Sequence, residues 1–291
     1  MDEHAAEPEP VSLYNCETPR SPLILSVPHA GRYYPRQLLD KSSASLERLQ
    51  SLEDRFVDML AVPLADRGYT VIVAQMARAW IDLNRSEREI DPEMVAPQPS
   101  RSGLDLSTKV RGGLGLVPRR VAGHGEIYRE PMSDRDVSQR IVTIHRPFHD
   151  AISNALDAAR GRFGTAVLLD CHSMPPLRPK SGHAPSEIVV GDLNGRSAAP
   201  CFSVRADAVC RASSFRVARN MPYAGGYILS RHGRPERHIH ALQLEICRSL
   251  YLDASRHNPG PRLAEISQLI GRIADGLAEE ALATPDTLAA E

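Results

Sequence analysis

Short runs of apolar and β-branched residues, each stopped by a proline, a glycine or a polar residue, recur along this chain and limit what it can become. Leu23-Ile24-Leu25-Ser26-Val27 ends at Pro28, and residues 69–74 (Tyr-Thr-Val-Ile-Val-Ala) follow Arg67-Gly68. Residues 166–170 (Ala-Val-Leu-Leu-Asp) and 187–191 (Glu-Ile-Val-Val-Gly) have the same character. Runs of this length and composition read as buried strands. Residues 241–247 alternate instead, with Leu242, Leu244 and Ile246 on one side and Gln243, Glu245 and Cys247 on the other, as a strand with one polar face does. A further short strand is predicted over 79–83, leading into Asn84-Arg85.

Between these runs the period becomes helical. Leu46, Leu49, Leu52, Phe56, Met59, Leu60 and Leu64 predict a helix over 45–65, kinked near its end by Pro63. Ser133 and Asp136 have the spacing of a capping box and open a helix over 133–160, which Pro147 can kink or divide. Helices are also predicted over 204–213 and 261–283. Strands interleaved with helices predict an α/β fold: a single domain with a mixed, largely parallel sheet and helices on both faces. The expected boundaries are a polar, proline-bearing arm over 1–20, the domain over 21–285 and a tail over 286–291. Residues 91–131, with five prolines and six glycines, predict a long irregular segment of the kind that often serves function.

Charge and cysteine usage narrow the function classes. The 35 basic and 36 acidic side chains nearly cancel, which argues against nucleic acid or an anionic membrane as partner. The five cysteines are scattered, with no C-x-x-C pair, so no disulfide framework is expected and a reducing compartment is favoured. The acidic start Met1-Asp2-Glu3-His4 lacks a signal-peptide pattern, and no run is long enough to span a bilayer. A cytoplasmic location is the resulting expectation. A chain of this length can bury its core without structural metal, so a metal site in it is free to be catalytic.

Three polar residues stand on or just after apolar strands: His29 in S-V-P-H-A-G, His172 in L-L-D-C-H-S-M, and Glu245 in L-Q-L-E-I. Ligand sites in open α/β sheets lie beyond the carboxyl ends of the strands, so the two histidines can face one crevice. A catalytic zinc needs three protein ligands and an open position, with a nearby carboxylate to take a proton from water. Taken singly, each histidine is a common core residue and Glu245 a common edge-strand charge; the combination is what points to a metal. For the third ligand, a helix over 45–65 leaves Glu53, Asp54 and Asp58 in competition, since adjacent helical positions point about 100° apart.

The ordered strings S-V-P-H-A-G, L-E-D-R-F, D-L-N-R, D-C-H-S-M, P-Y-A-G-G-Y and Q-L-E-I-C-R-S-L-Y resemble those of the N-formylglutamate amidohydrolase family, over roughly residues 23–251. That family is related in fold to zinc carboxypeptidases and aspartoacylase-type deacylases. The resemblance implies a zinc-exopeptidase-like fold and one zinc ion per chain, replaceable by another divalent metal, held by His29, Asp54 and His172. It implies Glu245 as general base and N-formyl-L-glutamate, a small anionic N-acyl amino acid, as substrate. Formate and glutamate would be the products, and histidine breakdown the setting.

Two substrate carboxylates call for cationic partners. Asn84-Arg85 is the first candidate, similar to the Asn-Arg pair with which zinc carboxypeptidases hold a terminal carboxylate. Arg146, Tyr227 and Arg231 are further candidates. His145 and His149 have the i, i+4 spacing of zincin ligands, but Pro147 lies between them and the glutamate of H-E-x-x-H is missing. They are expected to support a pocket at most. Cys171 falls on the strand face opposite His172 and is expected to be a buried structural thiol. The competing readings are a zinc deacylase or peptidase for another N-acyl amino acid, peptide or cell-wall fragment, and a non-catalytic ligand-binding protein on the same fold. A serine hydrolase lacks its G-x-S-x-G string.

Overall fold

The structure, a computed structural model, describes residues 8–121, 123, 125–179 and 184–283. The acidic start of the arm and the expected tail over 286–291 lie outside the described residues. Nine strands are found among them: β1 (Val11–Tyr14), β2 (Leu23–Val27), β3 (Thr70–Ala74), β4 (Arg120–Val121), β5 (Gly125–Glu126), β6 (Ala166–Met174), β7 (Ile188–Gly191), β8 (Val217–Arg219) and β9 (Ile239–Cys247). Seven form one sheet in the order β1-β3-β2-β6-β9-β7-β8, and β4 pairs with β5. β6 runs parallel to both β2 and β9, β7 runs parallel to β8, and β7 is antiparallel to β9. The sheet is therefore mixed, as expected. Every residue of β2, β3, β6, β7 and β9 is buried, which is why these strands read as continuous apolar runs. No helix among the described residues is long and apolar enough to cross a membrane.

The chain divides into two compact units. One consists of Leu13–Pro28, Asp54–Ile72 and the chain from Asp150 onward. Its core includes the helix Leu263–Ala283, which buries Ile266, Leu269, Ile270, Ile273, Ala274 and Leu277. This helix packs against β2, β6 and the helix Pro200–Ala212. Each large side chain so buried contributes roughly 1.5–3 kcal/mol before entropic costs.

The other unit consists of the chain up to Ser12, His29–Glu53 and Val73–His149. It has little regular structure, and long-range side-chain contacts organise it. The Arg140 guanidinium, 2% exposed, lies 3.3 Å from the centroid of the Trp80 ring and donates to Trp80 O at 2.9 Å and Tyr128 Oη at 3.0 Å. A cation over an indole face is favourable, more so when desolvated. Arg119 pairs with Asp91 at 2.8 Å. Gly31 permits a close passage: a Cβ there would lie 2.2 Å from Met76 O, so only glycine fits.

Several elements differ from the sequence expectations. The helix predicted over 45–65 is three pieces: Leu46–Gln50, Val57–Ala61 and a 3-10 segment Val62–Arg67. Phe56 interrupts it with a left-handed backbone (φ 61), so Glu53 and Asp54 lie in a turn. Gly68 (φ 90) closes the 3-10 segment. Residues 79–83 are a turn, not a strand: Asp82 Oδ1 accepts from Asn84 N–H at 2.9 Å, and Trp80 N–H donates to Ala77 O. The capping box at Ser133 and Asp136 is present. The run it opens is helical to Phe163, with a π-helical turn Ile141–His145 that ends two residues before Pro147. The wider turn relieves the crowding that a mid-helix proline imposes. Residues 91–131 contain two short helical turns and the β4–β5 ribbon, and they bury Val110, Leu116, Val117, Ile127 and Tyr128.

Candidate metal centre and active site

β6 extends four residues beyond the predicted strand, so His172 lies within it. Period two puts Asp170 on the same face as His172 and Cys171 on the other. In register, Asp170 stands beside Ser26 of β2 and Gln243 of β9, and His172 stands beside Glu245. His172 Nε2 lies 2.7 Å from Asp170 Oδ2, and its Nδ1 lies 2.9 Å from Asp54 Oδ2. Ser26 Oγ–H donates to Asp170 Oδ1 at 2.6 Å. Burial disfavours a charged His172, but Asp170 and Asp54 outweigh it and raise the imidazole well above its ordinary pKa. The bracketed ring sits where negative charge calls for a cation.

Glu245 is 7% exposed and its Oε1 accepts from Gln243 Nε2–H at 2.8 Å. Asp54 sits in the turn before Phe56. Its Oδ1 accepts from Ser173 Oγ–H at 3.0 Å and from Arg248 Nη2 at 3.3 Å. Tyr251 Oη–H donates to Arg55 O at 2.8 Å and pins the same turn. Of the three competing acids, Glu53 is engaged by the Tyr34 hydroxyl and Asp58 lies in the first turn of Val57–Ala61.

His29, 1% exposed, follows Pro28 at the end of β2, with Nε2 2.7 Å from Asp82 Oδ1. Burial raises the pKa of Asp82, but Arg78, Arg85 and His29 overcome it and hold the carboxyl well below its ordinary value. Asp82 Oδ1 meets His29 through Nε2, so Nδ1 is the ring nitrogen turned away from this carboxylate. His145 Nε2–H donates to Arg85 O at 2.8 Å and His149 Nε2–H to Leu83 O at 3.0 Å. Both histidines thus hold the loop that carries Asp82, Asn84 and Arg85.

The ligand atoms of His29, Asp54 and His172 lie within 4.8 Å of one another, and all three residues are buried. Two imidazoles and a carboxylate are a donor set for zinc and related divalent ions. Each imidazole also meets a buried carboxylate through its second nitrogen, Asp82 for His29 and Asp170 for His172. This is the arrangement that orients metal-bound histidines. On donor chemistry the residues fit a metal.

Asn84 and Arg85 are buried, and Arg85 donates to Leu114 O and Asn84 O. Arg146 is gripped by Glu87 through two bonds, at 3.0 and 2.9 Å. Tyr227 and Arg231 are joined on the helix Tyr227–His232, with Arg231 Nη1 donating to Tyr227 Oη at 3.1 Å. Burial, with Asp170 alongside, pushes the Cys171 thiol far up, so it is no nucleophile at neutral pH. Asp82, Asp170, Ser173, Gln243 and Arg248 were not singled out from sequence as site residues. Asp170 could have been, because it lies two residues before His172 on one strand.

A family model described as N-formylglutamate amidohydrolase matches residues 21–252. The N-formylglutamate deformylase of Pseudomonas putida is 30% identical over 241 residues, 80% of this chain and 83% of that protein. That of Pseudomonas aeruginosa is 29% identical over 240 residues, with the same coverage of 80% and 83%. The solved structure of N-formylglutamate amidohydrolase from Ralstonia eutropha is similar with a TM-score of 0.84 at 30% identity, over 94% of this chain and 97% of that one. A gene product of Agrobacterium tumefaciens is similar with a TM-score of 0.67 at 19% identity, over 93% and 94% of the two chains; it bears on the fold alone.

Proposed function

This chain belongs to the N-formylglutamate amidohydrolase family, and from that premise we propose that it is a metal-dependent amidohydrolase that removes the formyl group from N-formyl-L-glutamate. The observation that carries the metal dependence is the buried His29, Asp54 and His172 cluster, with an orienting carboxylate behind each imidazole. The family match across 21–252 supports reading residues 21–285 as one catalytic domain.

His29, Asp54 and His172 would hold one divalent ion, zinc by donor type. Such an ion supplies Lewis acidity to the formyl carbonyl and brings water towards ionisation at neutral pH. Glu245, beside His172 in the sheet register, accepts the proton from the attacking water. It then delivers that proton to the departing glutamate nitrogen. The products are formate and glutamate. Gln243 holds Glu245 through Oε1, which fixes the direction in which the base presents itself. Arg85 with Asn84, and Arg231 with Tyr227, are the groups proposed to meet the substrate carboxylates. Arg146 already spends one edge of its guanidinium on both oxygens of Glu87, which makes it a weaker candidate for this role. Cytoplasmic histidine breakdown is the setting that goes with this substrate.

The test is formate release from N-formyl-L-glutamate by purified protein, before and after chelation and after zinc is returned. Activity that chelation abolishes and zinc restores is expected. Zinc uptake with no formate release would move the substrate to another N-acyl amino acid. Full activity after chelation would remove the metal from the mechanism.

A further inference from the structure

Asp54 is the one member of the ligand cluster with two chemically equivalent donor atoms, and the chain treats them differently. Oδ2 faces His172 Nδ1 at 2.9 Å. Oδ1 accepts from Ser173 Oγ–H at 3.0 Å and from Arg248 Nη2 at 3.3 Å, while Arg248 Nε–H donates to Ser173 Oγ at 3.0 Å. The three side chains thus close a ring of hydrogen bonds on Oδ1. Ser173 follows His172 on β6, and Arg248 opens the 3-10 turn Arg248–Leu250 directly after β9. Asp54 is 2% and Ser173 6% exposed, so little water competes for these bonds.

A carboxylate can hold a metal through one oxygen or through both. We propose that Arg248 and Ser173 are positioning residues that confine Asp54 to a single-oxygen contact with the metal, through Oδ2. Two donors already occupy Oδ1, and turning it towards the ion would break both bonds in a buried site, which is costly. The consequence is catalytic. A second oxygen from Asp54 would fill a position that water and the formyl carbonyl need. The guanidinium also offsets part of the carboxylate charge, which keeps the ion a stronger Lewis acid at the expense of affinity. This inference rests on the metal-site reading above.

Cobalt(II) is the probe, because the intensity of its visible absorption falls as its ligand number rises. Wild type, Arg248→Met, Ser173→Ala, the double variant and Arg248→Lys are stripped of metal and titrated with cobalt. Circular dichroism checks that each is folded. Intense absorption is expected from wild type and a clearly weaker band from the double variant. The Arg248→Met change removes a positive charge that touches the ligand carboxylate and opposes the ion, so it should tighten cobalt binding by about tenfold. Arg248→Lys keeps the charge, so its affinity should stay near wild type while its band weakens part-way. If the double variant does not fold, the single variants carry the same test with smaller shifts. Variants that fold, bind one cobalt and keep the wild-type spectrum and affinity overturn the clamp alone. A wild-type protein that takes up no cobalt overturns the clamp and the metal-site reading together.

Discussion

The strand pair β6–β9 and the loop from Arg78 to Arg85 each supply a carboxylate that backs one of the two imidazoles, but they hold it in place by different means. On β6 the sheet ladder satisfies the backbone, and period two alone sets Asp170 and His172 on one face. Register then brings Glu245 beside His172. The loop is buried from Ala79 to Arg85 but has no ladder. Its carbonyls are met one at a time, Trp80 by Arg140, Leu83 by His149 and Arg85 by His145, and Asp82 caps Asn84. The strand pair spreads the cost of any one side-chain loss over many backbone bonds. The loop concentrates that cost, because a buried carbonyl left without a donor is expensive.

That contrast can be broken at several points. The largest effect belongs to Glu245→Gln, which should lower kcat about 10²–10⁴-fold while leaving zinc content at one per chain. Formate-release kinetics with elemental analysis measure both, and an unchanged kcat would take Glu245 out of the reaction. Next come Asp170→Asn and Asp82→Asn. Each should weaken zinc binding about 10–100-fold, as loss of an orienting partner does, in a competition with a chromophoric chelator. Equal losses would mean that strand and loop carboxylates serve the metal alike, whereas no loss in either would detach that carboxylate from the site.

The two regions also differ in what they contribute to stability. His149→Leu should cost about 1–3 kcal/mol in urea unfolding, because Leu83 O loses its donor inside the fold. A neutral result would mean that the loop does not depend on that bond. The smallest effect is one of pH, at His240, which is on the β9 face opposite Glu245. Its Nδ1 accepts from Ala199 N–H at 3.2 Å and its ring packs on Phe202. Burial, aided by His238, lowers its pKa to about 4. The unfolded chain therefore binds more protons than the folded one between about pH 6.5 and 4. Stability is full above that window and falls as the pH drops through it. His240→Gln should flatten this slope in urea midpoints measured from pH 7 to 4, and an unaltered slope would assign it to other groups.

What was legible in the sequence follows the same division. β2, the core of β6, β7 and β9 were readable because apolar runs and alternation report buried strands directly. The places of Glu245 on its strand and of His172 just past an apolar run were readable for the same reason. Asp54 was not separable from Glu53 and Asp58 on pattern alone, because an apolar period of helical type continues across Phe56. The left-handed residue there turns the chain and removes the helical geometry on which the three acids were compared. Asp82 was hidden in an apolar stretch that resembles a strand, since nothing local announces that Arg140, His145 and His149 will satisfy its neighbours from 60 or more residues away. Arg248 was hidden differently: its partners Asp54 and Ser173 are 194 and 75 residues distant.

The metal dependence proposed for this chain stands or falls on whether His29, Asp54 and His172 together hold one metal ion. Anomalous diffraction at the zinc edge, from crystals of the zinc-loaded protein, tests it most directly. One strong peak per chain is expected, about 2.0–2.2 Å from a nitrogen of each imidazole and from one oxygen of Asp54. A peak elsewhere, or none at this cluster in fully loaded and active protein, would contradict it.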